Sequence, residues 1–156
     1  MKIVVLKFGV TSVGTIKRIK KVAEIIQNYK KKNYKVVVVS SAISGVTNKL
    51  IKKAKEISEN FSDSEYDVLV SSGEQVACSL IAGRLIHKGL KSRSWLAWQI
   101  PILTDGSYKN SRIHKINKNK ILNYLAKGGI PIITGFQGIN NEDRVTTIGR
   151  GGSDAS

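Results

Sequence analysis

Within its first 40 residues the chain encodes a strand, a helix and a second strand, and this unit constrains the rest of the fold. Residues 2–7 (KIVVLK) are a short apolar run read as a buried strand, and GVTSVG follows as a glycine-containing turn. From Thr15 to Lys32, apolar residues recur at Ile16, Ile19, Val22, Ala23 and Ile26, the spacing of an amphipathic helix with Thr15 as its N-cap. Residues 35–40 (KVVVVS) are Val-rich, too short for a helix and bounded by polar turns, hence a second strand. A strand, helix and strand in so few residues form a βαβ unit, which requires a parallel pair and a right-handed crossover.

The same grammar continues. SSAISGVTN opens a second helix with Val46, Leu50, Ala54 and Ile57 on one face, and ENFSDSE reads as a polar connector. Two helices are then expected, a short one over 67–70 and a longer one over 74–88. The longer one carries Ala77, Leu80, Ile81 and Leu85 inward and ends at Gly89. Residues 91–98 and 100–103 look extended, with Pro101 marking an edge or a bend. A helix over 117–127 stops at Gly128 and Gly129, and IPIIT (130–134) is a buried strand opening onto GFQG. A turn near 140–143, a strand at 145–148 and the loop GRGGSD (149–154) complete the chain. Alternating strands and helices place it in the α/β class, where ligands gather at the carboxyl ends of parallel strands. KFGVTS, SSAISG and GFQG all fall at such ends.

Composition excludes several classes. No apolar run approaches the roughly 20 residues that span a bilayer, and the amino-terminal apolar stretch is shorter than the roughly 7 to 15 residues of a signal peptide core, so a cytoplasmic location is expected. The single cysteine, Cys78, has no CxxC or His-rich neighbourhood and reads as a small helix-packing residue. A net charge of +15 raises the idea of a basic nucleic-acid-binding module. Against it, there are 20 lysines to 6 arginines, the lysines fall mainly on helix faces and turns, and only 6% of residues are aromatic. A positive field would also suit a small anionic substrate.

Several residues could carry chemistry. Lys7 ends an apolar strand where the backbone amides of residues 9–12 also point. With the hydroxyls of Thr11 and Ser12 that makes a phosphate cradle, the alternative being a lysine that snorkels from a strand end. The loop fits neither the P-loop nor the dinucleotide-binding pattern. Ser41, Ser44 and Thr47 precede or enter a helix, where hydroxyls cap free N–H groups or bind a ligand; for Ser44 capping is the expectation. Glu74 in SSGEQ is read as the start of a helix, where a carboxylate is favoured by the dipole or accepts a substrate ammonium; taken alone it reads as a cap. Arg150 offers a planar fork suited to bidentate capture of a carboxylate, with Asp154 close by in sequence.

KFGVTSVG, VVSSAISGVTN, SSGEQ, GFQG and TTIGRGGSD, in this order and at these separations, resemble the aspartate kinases of the amino-acid kinase superfamily, and the resemblance covers essentially the whole chain. It implies a three-layer αβα sandwich with a mainly parallel sheet, amino-acid kinase-like and carbamate kinase-like. It also implies phosphoryl transfer from ATP, as its Mg²⁺ complex, to the side-chain carboxylate of L-aspartate, giving 4-phospho-L-aspartate for lysine, threonine, methionine and diaminopimelate synthesis. By matching position, Lys7 stabilises the transferring phosphoryl group, and Phe8, Gly9, Val10, Thr11 and Ser12 surround the ATP phosphates. Ser41 and Ala42 lie at the junction of phosphate and aspartate. Thr47, Glu74, Arg150, Gly151, Gly152 and Ser153 hold aspartate, with Glu74 on its ammonium and Arg150 on its α-carboxylate, while Asp154 helps position Lys7. No protein metal ligand is implied, and the family forms homo-oligomers.

The sequence departs from the family at three places. Val10 stands where KFGGTS has its second glycine, and strain there is expected to cost about 1 to 3 kcal/mol if the backbone is left-handed. SWLAWQIP (94–101) replaces a sequence like SLTGWQAG, so Ala97, Ile100 and Pro101 put local packing in question. Residues 1–156 correspond to the amino-terminal part of the catalytic domain, without its nucleotide-binding half or ACT domains. The expectation is therefore a truncated fold: either a working piece completed by a second chain, or a remnant that catalyses nothing.

Overall fold

The computed structural model describes residues 2–149, so the expectations for Arg150, Gly151, Gly152, Ser153 and Asp154 lie outside the described residues. The βαβ unit forms as read. β1 (Ile3–Phe8) pairs in parallel with β2 (Lys35–Ser40) through α1 (Ile16–Lys31), and the Thr15 hydroxyl caps α1 by accepting from Arg18 N at 3.2 Å. α2 (Val46–Ile57) and α3 (Asp63–His87) follow, then β3 (Ser92–Trp95), a 3-10 turn (Ala97–Gln99), β4 (Ile102–Thr104) and β5 (Ile113–Ile116). α4 (Asn119–Ala126), β6 (Ile130–Thr134), β7 (Gln137–Ile139) and β8 (Val145–Thr147) complete the described chain.

Two four-stranded sheets result. The first, in the order β1-β2-β6-β3, is parallel throughout, whereas the second, β5-β4-β7-β8, mixes a parallel β4/β7 pair with antiparallel β4/β5 and β7/β8 pairs. β2 and β6 are buried on both faces, as parallel strands between helical layers must be. Val36, Val38, Ile130 and Ile132 pack toward α1 and α3 with Ile26, Ile81 and Leu85. Val37, Val39 and Ile133 pack the other way, with Trp95, Ile121 and Leu125. The product is a helix, sheet and helix sandwich, as the resemblance implies.

Several expectations need correction. β1 is not a buried strand: it is the sheet edge, and Ile3 and Val5 are more than half exposed while Val4, Leu6 and Phe8 turn inward. The two helices read over 67–70 and 74–88 are one helix of 25 residues, α3, broken in the sequence pattern only by the small residues 71–73. Leu80 and Ile57, read as inward, are exposed, because α3 turns its buried stripe through Ala77, Cys78, Ile81 and Leu85 and α2 buries only Ala54. Ser44 is not a cap: Gly45, at φ 79°, takes the N-cap position of α2 without a side-chain bond. Val10 is not left-handed, so no strain arises there, and its side chain is half exposed. Ala97 and Ile100 fill the second core, the latter almost fully buried, so these substitutions are packed rather than disruptive.

Gln137 shows how the second sheet is fastened to α3. Its side chain is fully buried, with Oε1 accepting from Ala97 N at 3.2 Å and Nε2 donating to Ser71 O at 3.1 Å, so one amide links β7, the 3-10 turn and α3. Gln137→Leu keeps the bulk but leaves the buried Ala97 N–H unpaired, and is expected to cost about 1 to 3 kcal/mol in urea unfolding. A loss below about 0.5 kcal/mol would show that the link contributes little.

Candidate functional site

Three segments meet at the carboxyl ends of β1 and β2. The loop after β1 is a tight turn in which Ser12 N (2.8 Å) and Val13 N (3.3 Å) both donate to Gly9 O, and the fully buried Val13 anchors it in the core. Lys7 lies over this turn: a Cβ added at Gly9 would sit 3.4 Å from Lys7 Nζ. Glycine therefore leaves the space that the ammonium occupies. Phe8 contributes its backbone, since its ring is buried while its carbonyl accepts from Ser41 N at 3.0 Å, which ties the second loop to the end of β1.

Ser40, Ser41 and Ala42 are all buried at the end of β2, and Gly135 N donates to Ser40 O at 3.0 Å, bringing the GFQG segment beside them. GFQG itself is half strand, because β7 begins at Gln137 and Phe136 turns the chain at φ 68°. The third segment is the middle of α3. Gly73 lets that helix approach closely: a Cβ there would lie 2.9 Å from Ala42 Cβ, 3.3 Å from Val46 Cγ1 and 3.7 Å from Thr47 Oγ1. Ala42, Thr47 and Glu74 are thereby brought together.

Glu74 is not at a helix start, so a capping role is excluded by position: it stands on the twelfth residue of α3 and is only 4% exposed. Ala42 N donates to its Oε1 at 3.1 Å, while its Oε2 and the neighbouring Ser41 Oγ are buried without a hydrogen-bond partner. Burial pushes the Glu74 carboxyl up to about 7, opposed in smaller measure by backbone N–H groups, including that of Ala42. The same burial, together with the Glu74 charge one turn away, raises the Cys78 thiol, which fits an inert packing residue. Each unsatisfied buried atom calls for a partner, and for the Glu74 oxygen a cationic or N–H-bearing group would supply it.

Thr11 and Ser12 face a different space. With Phe8, Arg18, Lys21, Val22 and Ile25 they line a cavity of about 370 Å³ on the α1 side of the first loop, and the Arg18 guanidinium donates to Thr11 O. Arg18 and Lys21 bring two basic side chains to this cavity, where the lysine pattern alone reads as a solvated helix face. Among the described residues, no three His, Cys, Asp or Glu side chains gather where they could hold a metal ion, and no helix is long and apolar enough to cross a membrane.

The raised Glu74 carboxyl has a definite stability sign. It binds its proton more tightly in the folded than in the unfolded chain, so its contribution to stability falls as pH rises from about 4.5 to about 7. Relative to Glu74→Gln, the wild type is expected to lose about 3 kcal/mol across that window in denaturant titrations. A pH-independent difference between the two proteins would contradict the buried, unsatisfied carboxylate.

Comparison with known proteins agrees with this fold. The family model described as the amino acid kinase family matches residues 2–156. An aspartokinase of Rickettsia conorii is 48% identical over the whole chain, which spans about 40% of that protein's length. The solved aspartate kinase of Synechocystis superposes with a TM-score of 0.81 at 37% identity, over 99% of this chain and 25% of that one. Escherichia coli aspartokinase III, solved with aspartate and ADP, gives a TM-score of 0.83 at 23% identity, over 99% of this chain and 45% of that one, a likeness of fold. With the family model matched from residue 2 onward, the chain belongs to the amino acid kinase family and is similar along its length to aspartokinases.

Proposed function

We propose that this chain binds L-aspartate and the phosphates of ATP at the ends of β1 and β2, and serves phosphoryl transfer between them. The observation that carries the reading is Glu74, a buried carboxylate with one oxygen held by Ala42 N and the other without a partner. In this reading the unpartnered oxygen accepts from the substrate ammonium, with Thr47 and Ser41 alongside. An ammonium there would restore the ionised form that burial disfavours. Arg150, with Gly151, Gly152 and Ser153, takes the α-carboxylate.

Lys7 and the turn over residues 9–12 meet the phosphates, where fixed positive charge offsets the repulsion of two anions brought together. The side-chain carboxylate oxygen of L-aspartate attacks the γ-phosphorus, the bond to the β–γ bridging oxygen breaks, and ADP leaves, giving 4-phospho-L-aspartate. Asp154 helps orient Lys7. Mg²⁺ would enter with the nucleotide, held chiefly by its phosphate oxygens, and would offset their charge. The relatives that carry the aspartokinase name are more than twice as long as this chain, and the reading extends their named activity to it.

Hydroxylamine trapping of aspartyl phosphate, with L-aspartate, ATP and Mg²⁺, tests the reading directly. Lys7→Ala is expected to lower turnover by about 10²-fold or more. Glu74→Gln is expected to raise the KM for L-aspartate by about tenfold or more while leaving the KM for ATP within about twofold. Absence of turnover in the wild-type chain sinks the catalytic reading. If L-aspartate also fails to bind, the substrate assignment falls with it.

A further inference from the structure

Glu74 occupies one end of a polar stripe along α3. Two helical turns earlier, on the same face, stands Asp67, which is fully buried. Its carboxylate accepts from three donors on remote segments. Thr147 N reaches Oδ2 at 2.8 Å, Thr147 Oγ1 reaches Oδ1 at 2.7 Å, and Lys109 N lies 2.9 Å from Oδ2 and 3.2 Å from Oδ1. Lys109 adopts φ 64°, a left-handed conformation uncommon for lysine, and its ammonium pairs with Asp63 one turn back on α3. Thr147 is itself almost fully buried, and its carbonyl accepts from Ser111 N at 2.9 Å. The last residue of β8 is thus gripped through its N–H, its hydroxyl and its carbonyl.

Two residues further on, Gly149 runs close to the 107–112 segment, since a Cβ there would lie 2.5 Å from Asn110 Oδ1. A carboxylate buried at this cost is not needed merely to join a helix to a strand, because an apolar contact would do so more cheaply. What it adds is a fixed direction and register at the point where the chain leaves β8 for GRGGSD.

We propose that Asp67 is a positioning residue: it fixes the end of β8, from Thr147 to Gly149, relative to Glu74, and through that spacing it controls affinity for L-aspartate. α3 then acts as a ruler. Glu74 holds the second loop through Ala42, and Asp67 holds the end of β8 through Thr147, about 10 Å apart along the helix axis. Burial raises the Asp67 carboxyl, and the Lys109 and Thr147 donors offset that rise only in part. The inference rests on the aspartate-binding reading above, and deepens it by naming a residue that touches no ligand.

The test compares the full wild-type chain with Asp67→Asn and Thr147→Val, by calorimetric titration with L-aspartate and with MgATP, alongside amide exchange. Asp67→Asn turns one acceptor into a donor facing N–H groups. It is expected to weaken L-aspartate binding about tenfold or more, leave MgATP within about twofold, and speed exchange at residues 109 and 147–149 but not in β2. Thr147→Val, which keeps the N–H and loses the hydroxyl, is expected to show the same pattern at smaller amplitude. Equal L-aspartate affinity in wild type and Asp67→Asn overturns the inference and leaves the binding reading intact. Loss of both ligands with faster exchange throughout the chain marks a merely structural carboxylate and also overturns it. If the wild type binds no L-aspartate, the binding reading fails, and the affinity claim for Asp67 fails with it.

Discussion

A buried polar group must find a partner or remain costly, and along one face of α3 this rule decides how the molecule is assembled. Asp67, Ser71 and Glu74 fall at helical spacing on that face, and each is joined to a different part of the chain: the Asp67 carboxylate to β8 through Thr147, the Ser71 backbone carbonyl to β7 through Gln137, and the Glu74 carboxylate to the loop after β2 through Ala42. The apolar residues of the helix, Cys78, Ile81, Ala82 and Leu85, continue into the core against the parallel sheet. One half of α3 therefore provides cohesion and the other provides registration. Removing an apolar contact would loosen the fold, whereas removing a polar one would shift a loop.

The parallel sheet supplies the complementary constraint. Because β1 and β2 run side by side in register from Ile3 and Lys35 to Phe8 and Ser40, their loops leave from the same level. Ser41 N then bonds to Phe8 O and extends the ladder one step into the second loop. The backbone alone thus places the Lys7 turn and the Ser41–Ala42 pair beside each other. The two anions of a phosphoryl transfer need such an arrangement, with positive charge on one side and a recessed acceptor on the other. Val10, a departure from the usual glycine, is tolerated because the turn closes through Gly9 O and keeps residue 10 out of the left-handed region.

The βαβ unit was legible because α1 has one apolar face and β2 is short and Val-rich, so periodicity and length decide between helix and strand. α3 was not legible as one helix. It is buried on several sides, so no single stripe stands out, and the small residues 71–73 that admit the second loop look locally like a break. That misreading carried Glu74 to a helix end and made a cap of it. Its pairing with Ala42 and its orphaned oxygen depend on a partner 32 residues away, which no local pattern encodes. Asp67 is the sharper case. A lone aspartate in a helix reads as a solvated residue, and its three donors lie 42 and 80 residues downstream. β5 and β7, at four and three residues, were too short to show strand alternation.

Glu74 is where the fold and the proposed function meet, since it lies beside the close approach at Gly73 and keeps one oxygen without a hydrogen-bond partner. Carbon-detected NMR of the Glu74 side-chain carboxyl, titrated with and without saturating L-aspartate, examines this directly. The account predicts a midpoint of about 7 in the free chain, falling toward the ordinary carboxylate range when L-aspartate is bound. A midpoint near 4.5 in the free chain, unmoved by L-aspartate, would contradict it.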